Sequence, residues 1–547
     1  MSFSLLAAPV IDPIPTANIP AGKSLILPVT ATSSNGRPLA FTATSSTNRI
    51  TVDVHTNNPF WKMSVVQAAL SNAPGAFQIP FRGGIATVTN IGDMTFMLFR
   101  DIAPHTVDVI QGLTASGFYT SNTIFHRVVP GFVIQGGDPL TNGMGGPVFR
   151  YDDEFNPRAL FSGNGQLALA NSGKDTDGSQ FFVTLGPQRF LDLGYTLFGQ
   201  LVRGFNVLTY VGTVATNGDS RPLADVIITK ASLVPNTSDT VLTLAGTNSA
   251  GVSGTISVVA DDGIGGRTTN TFTATMVSDA NNDPPILYPA TVTNLVGPIN
   301  GRITNYIATV DLEGNVPAWQ LNFADQASFN AASNSTFSSP SGQLVIIPVA
   351  GYSGPVNVSA AVSQNGFQSY DYQLYTFAIG DTAISAVANN FVAPPLTPFD
   401  NQLLATFTNG VSGSSPANFA ASINWGDNSI TSGVIASNIS GYKEVRGSHF
   451  YTNAGDYPVY VTIQSASGAH ATTVSTCSVP PALSLALSGP NTILRWPAWA
   501  AEYHLQSQTN LALANWIATT NISALNGYDN VVTNSTAGNP FFFRLQK

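Results

Sequence analysis

The chain has 547 residues, of which 9% are charged and 43% hydrophobic, and it carries a net charge of −9. That length exceeds what one core can organise and implies about three to five domains. So apolar a chain with so little charge is not a disordered one, and the lack of a basic patch excludes nucleic acid as a partner.

Abundant Ser, Thr, Asn and Val punctuated by Gly and Pro predict a mainly β protein made of several sandwiches. Cys477 is the only cysteine, so no intrachain disulfide forms; it is read as a buried or incidental thiol, and the redox compartment stays open. No apolar run reaches the roughly 18 residues of a membrane span. Met1–Val10 lacks a basic n-region and has only a short apolar stretch, which fits the remnant of a cleaved or trimmed signal peptide better than a complete one.

In chain order, residues 13–83 open with Lys23-Ser-Leu-Ile-Leu-Pro-Val-Thr-Ala-Thr, Asn35-Gly36 and Leu39-Ala-Phe-Thr-Ala-Thr. Alternation around an Asn-Gly pair predicts a hairpin. Ile50-Thr-Val-Asp-Val continues the pattern, but the strands run out before a sandwich closes. Complementary strands occur at 233–283, in Val241-Leu-Thr-Leu, Gly254-Thr-Ile-Ser-Val-Val-Ala and Thr271-Phe-Thr-Ala-Thr. Between them, within 84–232, Pro104 opens a short amphipathic helix with Val107, Ile110 and Leu113 inward, and a second helix is predicted near Phe205, Leu208 and Val211. Beyond come a sandwich at 284–380, a module at 381–480 and a small sandwich at 481–547.

Three runs in the 84–232 region carry chemistry. The first is Phe125-His-Arg127-Val-Val-Pro-Gly-Phe132-Val133-Ile-Gln135-Gly-Gly-Asp138. Arg127 and Gln135 are an even number of positions apart, so a regular strand would put them on one face, although Pro130-Gly131 interrupts it. The second is Gln166-Leu-Ala-Leu-Ala170-Asn171-Ser-Gly173, leading into Asp177-Gly-Ser-Gln180-Phe181-Phe182-Val183. Phe181 and Phe182 must face opposite ways. The third is Phe190-Leu191-Asp192 before Tyr195-Thr-Leu-Phe-Gly199.

Together these runs resemble the cyclophilin family of peptidyl-prolyl isomerases, from about Ile85 to Ile228. The resemblance implies a closed eight-stranded antiparallel barrel capped by two helices, acting on proline-containing polypeptides without a cofactor. Amide resonance makes X-Pro rotation slow. A catalyst needs a protonated donor for the proline nitrogen, an apolar seat for the ring and anchors for flanking carbonyls, but no nucleophile, metal or general base. Arg127 suits the donor role, because a guanidinium presents several N–H groups in a fixed fork. By the resemblance, Phe132, Val133, Phe182 and Leu191 form the proline pocket and Gln135 bonds the substrate backbone. The backbone of Asn171 pairs with residues before proline, Ala170 and Gln180 line the groove, and His126 is structural. Val133 stands where methionine is most familiar, Phe190 in place of a tryptophan and Tyr195 in place of a histidine. These departures look like the bacterial branch and imply weak cyclosporin binding.

The flanks resemble other families. Residues 13–83 and 233–283 resemble a cadherin- or immunoglobulin-like sandwich, implying that the isomerase is inserted into one of its loops; the alternative is two separate small β modules. Ile423-Asn-Trp425-Gly-Asp427 and His449-Phe-Tyr451-Thr-Asn-Ala-Gly-Asp-Tyr457 resemble the polycystic-kidney-disease repeat, with Trp425-Gly-Asp427 a fold signature. Leu494-Arg-Trp496-Pro, Tyr503-His-Leu-Gln-Ser and Phe541-Phe-Phe-Arg544 resemble small fibronectin-like terminal sandwiches. Asp261, Asp262, Asp279 and Asp283 are candidate calcium ligands by analogy with cadherin-like linkers, or plain turn formers. These domain types imply an extracellular, cell-surface or periplasmic protein whose sandwiches make surface or matrix contacts. The rival reading is a surface binding or adhesion protein that holds proline-containing segments.

Overall fold

The structure is a computed structural model that describes residues 8–488 apart from 121–122, 289–294, 340, 368–369, 412–413 and 439, and beyond them 491–497, 503–508, 516–518, 524–526, 529–535 and 542–546. The N-terminal stretch through Ala7, and Phe541 of the last motif, lie outside the described residues. Five strands come first: β1 (Val10–Ile11), β2 (Ala17–Pro20), β3 (Ser24–Thr32), β4 (Ala40–Ser45) and β5 (Ile50–Val54). Next are β6 (Phe60–Ala68), β7 (Phe77–Phe81), β8 (Gly84–Leu98), α1 (Pro104–Ala115), β9 (Thr123–Ile124), β10 (Arg127–Val129) and β11 (Val133–Gly136). They lead to β12 (Asn164–Leu169), β13 (Phe181–Leu185), β14 (Leu197–Arg203), α2 (Phe205–Val211) and β15 (Val226–Val234), then β16 (Asp239–Gly246), β17 (Ser253–Asp261) and β18 (Arg267–Val277).

Strands from both ends of this series share two sheets, ordered β1-β3-β16-β5 and β2-β18-β17-β4. β16 runs against β3 from Asp239↔Thr30 to Ala245↔Ser24, and β17 against β4 from Ile256↔Ser45 to Asp261↔Ala40. Their inner faces supply one core, with Ile19, Val29 and Ile50 from the early strands and Leu242, Leu244, Ile256, Val258 and Met276 from the late ones. The hairpin predicted at Asn35-Gly36 does not form, because β3 and β4 lie in different sheets. Both edges of β3 are occupied by β1 and β16. Asn35 instead shapes an arch between the sheets: its carbonyl oxygen accepts from the Arg37 N–H at 3.0 Å, and its amide donates to Asp262 at 2.8 Å.

The central strands close a barrel. β9 and β10, separated by Phe125-His126, are two halves of one bent strand: β9 pairs with β15 and β10 with β11. The remaining order β11-β13-β12-β14-β8-β6-β15 completes a ring of eight antiparallel strands. Its interior holds Trp61, Met63, Phe96, Phe125, Phe181 and Phe198, all buried, with α1 and α2 packed on the same core. Two free N–H groups at the start of α1, on His105 and Thr106, donate to the Glu154 carboxylate at 3.1 and 2.7 Å, which caps the helix and complements its dipole.

The barrel sheet extends upstream of residue 84. β6, assigned above to the first sandwich, pairs with β8 from Phe60↔Met97 to Ala68↔Val88 and with β15 from Val226↔Gln67 to Val234↔Phe60. It is therefore a staple of the barrel, and β7 extends the same sheet along β8. Period-two alternation identifies a strand but says nothing about which sheet receives it.

Downstream, Leu295–Gly297, Ala318–Phe323, Gly354–Ser363 and Asp371–Ile379 form one sheet, and Ile303–Tyr306, Thr336–Ser338 and Gln343–Ile346 a second. They enclose a core with Leu344, Val356, Val358 and Phe377. The next module runs eight strands, within Ser385–Val479, around Trp425, Tyr451 and Tyr457. Trp425 stacks on His449 at 4.6 Å, and His449 Nε2 lies 2.7 Å from Asp427 Oδ2, so Trp425-Gly-Asp427 belongs to the packing of this module. Cys477 is buried there, and burial pushes its thiol up to about 12. This module docks on α1: the Tyr460 hydroxyl donates to Asp108 at 2.7 Å. A Cβ on Gly112 would sit 2.0 Å from the Gly426 carbonyl oxygen, so the close approach needs glycine. Two small sheets follow, built on Asn491–Pro497 and His504–Gln508. Among the described residues, no helix is long and apolar enough to cross a membrane.

Candidate active site

The β10–β11 hairpin sets the first groove residues. Arg127 and Gln135 are direct cross-strand partners, as are Val129 and Val133. They share a face because the chain turns back at Pro130-Gly131, not because one strand carries both. Gly131 takes φ +74°, and the Phe132 N–H closes the turn on the Val129 carbonyl at 3.0 Å. Arg127 is half-buried and has no carboxylate partner among the described residues. Its Nη1 lies 3.5 Å from Gln135 Oε1, and its guanidinium stands 5.8 Å from the Phe132 ring centroid. The Gln135 amide donates in turn to Gln180 Oε1 at 3.1 Å, and the Gln180 amide to the Gly143 and Gly145 carbonyls at 2.9 and 2.8 Å. A continuous polar line thus runs from the cation to the 143–145 loop.

Beside it lies an apolar seat. Val133, Phe182 and Leu191 are buried, and Phe132 is half-buried. Phe182 stacks on Phe161 at 5.7 Å and meets Tyr195 edge-on at 5.4 Å. Phe181 faces the other way, into the barrel, against Trp61 at 5.4 Å. Phe190 is 71% exposed and stacks on Phe132 at 5.5 Å, forming the outer lip. On the opposite side the Ala170 N–H donates to the Gln180 carbonyl at 2.8 Å. The Asn171 side chain donates to Asp153 at 3.2 Å and accepts from the Gly173 N–H at 3.3 Å. Gln135, Gly143, Gly145, Ala170, Asn171 and Gln180 line one polar cleft.

His126 is buried, its Nδ1 without a hydrogen-bond partner among the described residues. Desolvation holds its pKa below the ordinary value, with the Arg221 and Arg127 charges acting the same way against Asp138. It is a neutral packing residue. Phe161, which backs Phe182, is absent from the sequence-level site; its run, Ala159-Leu-Phe161-Ser, has no feature that distinguishes it from ordinary core.

The four candidate calcium ligands do not converge. Asp261 pairs with Arg267 at 3.1 Å, and Asp262 accepts from the Ile264 and Gly266 N–H groups. Asp279 and Asp283 contact Arg189 at 3.5 and 3.3 Å, and Asp283 also pairs with Lys23 at 2.5 Å. Among the described residues no group of three or more His, Cys, Asp or Glu side chains is placed to hold a metal ion. Turns and protein cations already engage these carboxylates.

A fixed cationic donor, an apolar pocket and a polar edge in one groove meet the needs of X-Pro rotation. Comparison with known proteins agrees. Residues 85–233 match the family model described as cyclophilin type peptidyl-prolyl cis-trans isomerase/CLD. The chain is 40% identical over 158 residues to peptidyl-prolyl cis-trans isomerase-like 1 of Aspergillus niger, covering 28% of this chain and 97% of that protein. The protein of that name from Homo sapiens is 41% identical over 161 residues, with 29% and 95% covered. This chain belongs to the cyclophilin family. A solved cyclophilin-type isomerase from Cryptosporidium parvum, crystallised with the dipeptide Ala-Pro, is 36% identical and covers 27% of this chain and 96% of that one, with a TM-score of 0.26. The cyclophilin match covers the barrel from β8 to β15, without β6, and leaves the sandwiches outside it. The chain is thus a mainly β protein carrying a cyclophilin-type isomerase domain.

Proposed function

We propose that this cyclophilin is a foldase for proline-containing segments of exported or surface polypeptides. The observation that carries the reading is Arg127, a half-buried cation without a carboxylate partner among the described residues, beside the Phe132–Val133–Phe182–Leu191 seat. Arg127 donates to the proline nitrogen as its lone pair is freed, and Gln135 bonds the substrate backbone. The Asn171 main chain pairs with residues before proline, while Ala170, Gln180 and Tyr195 shape the groove. The test is refolding of a protein whose slow phase is prolyl isomerisation, at catalytic amounts of the full chain. Acceleration is expected; binding of the unfolded substrate without acceleration would favour a holding or adhesive role instead.

In this reading Phe190 and Tyr195 resemble the bacterial branch at these two positions. Phenylalanine lacks the indole N–H donor, so cyclosporin should inhibit weakly. Phe190→Trp should tighten inhibition by about 1 kcal/mol, the net worth of one hydrogen bond. A titration that finds tight inhibition of the unmodified protein would overturn this.

The modules outside the barrel are read as cadherin- or immunoglobulin-like, polycystic-kidney-disease-like and fibronectin-like, with the isomerase inserted into the first. Cross-pairing of β3 with β16 and β4 with β17 supports insertion. Because β6 belongs to the barrel, the excised sandwich should comprise residues 8–57 joined by a short Gly/Ser linker to 236–285. It should unfold cooperatively in urea while each half alone does not, since a half-sandwich leaves strand edges and an apolar face in water. A half that folds cooperatively by itself would mean separate modules.

A further inference from the structure

The Asn171 side of the groove is held from outside the barrel. Lys174, in the loop that follows Asn171, places its ammonium 2.8 Å from Asp371 Oδ1, on the first residue of strand Asp371–Ile379 in the downstream module. The same ammonium lies 3.3 Å from Asp153 and 3.4 Å from Asp175. Asp153 is the residue that accepts from the Asn171 side chain, and its other oxygen accepts from the Asp175 N–H at 2.9 Å. An unbroken chain of contacts therefore leads from the downstream module through Lys174 and Asp153 to Asn171. All its charged members are shielded: the side chains of Lys174, Asp153 and Asp371 are 15%, 1% and 7% exposed. Burial works against the lysine's charge, but Asp371, Asp153 and Asp175 outweigh it and hold the ammonium above its ordinary range.

Asp371 is itself fixed, since its Oδ2 accepts from the Leu287 N–H at 2.8 Å at the entry to the same module. A buried, multiply paired cation resists displacement because losing one partner leaves the others uncompensated. The opposite lip has a comparable tie. Arg189, adjacent to Phe190 and Leu191, pairs with Asp192 and reaches Asp279 and Asp283 in the linker before the downstream module.

We propose that the module at 284–380 is a positioning element of the isomerase groove, with Asp371 and Lys174 setting the Asn171 edge against which the substrate lies. This rests on the reading of Asn171 as the strand-pairing edge. It separates two classes of substrate: peptides that extend well before the X-Pro bond use the edge, and those with almost nothing there do not.

The experiment uses the full chain and two proline peptides, one with several residues before the X-Pro bond and one with a single residue. Asp371→Asn preserves shape and the acceptor for Leu287 while removing the charge. It should raise KM for the long peptide by roughly three- to thirty-fold, the range of coupling carried through packed contacts, with kcat little changed and the short peptide unaffected. Lys174→Met should act the same way, and the double variant should be no worse than Lys174→Met alone, because both break one tie. Lys174→Arg should restore most of the affinity. If Lys174→Met fails to fold, Asp371→Asn decides alone. An unchanged KM for the long peptide, or equal losses on both peptides, would overturn the proposal. A separate Arg127→Ala arm tests the groove reading: unimpaired turnover there would sink that reading whatever Asp371 does.

Discussion

Arg127→Ala should lower kcat/KM for X-Pro isomerisation by roughly ten-fold or more, as expected for losing a charge-assisted hydrogen bond made chiefly in the transition state. The reacting nitrogen becomes a good acceptor only when the amide twists and its lone pair is released. A donor aimed there therefore stabilises the transition state more than the ground state, and its loss should fall on kcat more than on KM. The geometry makes Arg127 the group to remove. Among the described residues its one side-chain hydrogen bond is the long contact to Gln135 at 3.5 Å, and no carboxylate neutralises it. Arg127→Lys should recover part of the rate, since a point charge replaces the fork. Gln135→Ala should cost less and act more on KM. Protease-coupled turnover with near-UV circular dichroism as the folding control reads all three. Full activity in Arg127→Ala would remove the mechanistic assignment.

The groove was legible because its residues lie in three short runs whose local pattern is dense. The β10–β11 hairpin and β13 set Arg127, Gln135 and Phe182 in one row, with the Phe132 ring beside Arg127. The helices at Pro104 and Phe205 were legible for a different reason, the three-to-four residue spacing of Val107, Ile110 and Leu113 and of Leu208 and Val211, all buried. What alternation could not convey is the partner of a strand. β3 and β4 alternate as a hairpin would, yet each pairs with a strand more than two hundred positions away. β6 falls within the 13–83 span expected to form the sandwich and is built into the barrel. Charged residues were also under-read. Asp279 and Asp283 look like metal ligands in isolation, but their counter-ions, Arg189 and Lys23, sit about ninety and more than two hundred and fifty positions away. Lys174 carries no local signal at all, because its meaning depends on Asp371 in another module.

The barrel should fold in isolation only when β6 is included. A fragment of residues 85–233, the span of the family match, lacks β6 and leaves β8 and β15 without the strand between them. Phe60, Trp61, Met63, Val65 and Val66 are all at most 6% exposed in the intact chain. At about 1.5–3 kcal/mol for each such side chain, their removal withdraws on the order of 7–15 kcal/mol. That matches the whole net stability of an ordinary domain, about 5–15 kcal/mol. The loss also opens a slot in the wall beside Phe96, Phe181 and Tyr119, two of which touch the Trp61 ring, and exposes two strand edges to intermolecular pairing. The short fragment should therefore be aggregated or lack a cooperative melt, while residues 57–235 should melt cooperatively and turn over X-Pro peptides. Trp61→Ala in the longer fragment offers a graded version, with an expected loss of about 3–5 kcal/mol for emptying a large buried site. Urea denaturation followed by tryptophan fluorescence and circular dichroism distinguishes the outcomes. A cooperative, active 85–233 fragment would show that β6 is dispensable, and would require the segment beginning at Ile85, itself 73% exposed in the intact chain, to fold into the vacated position.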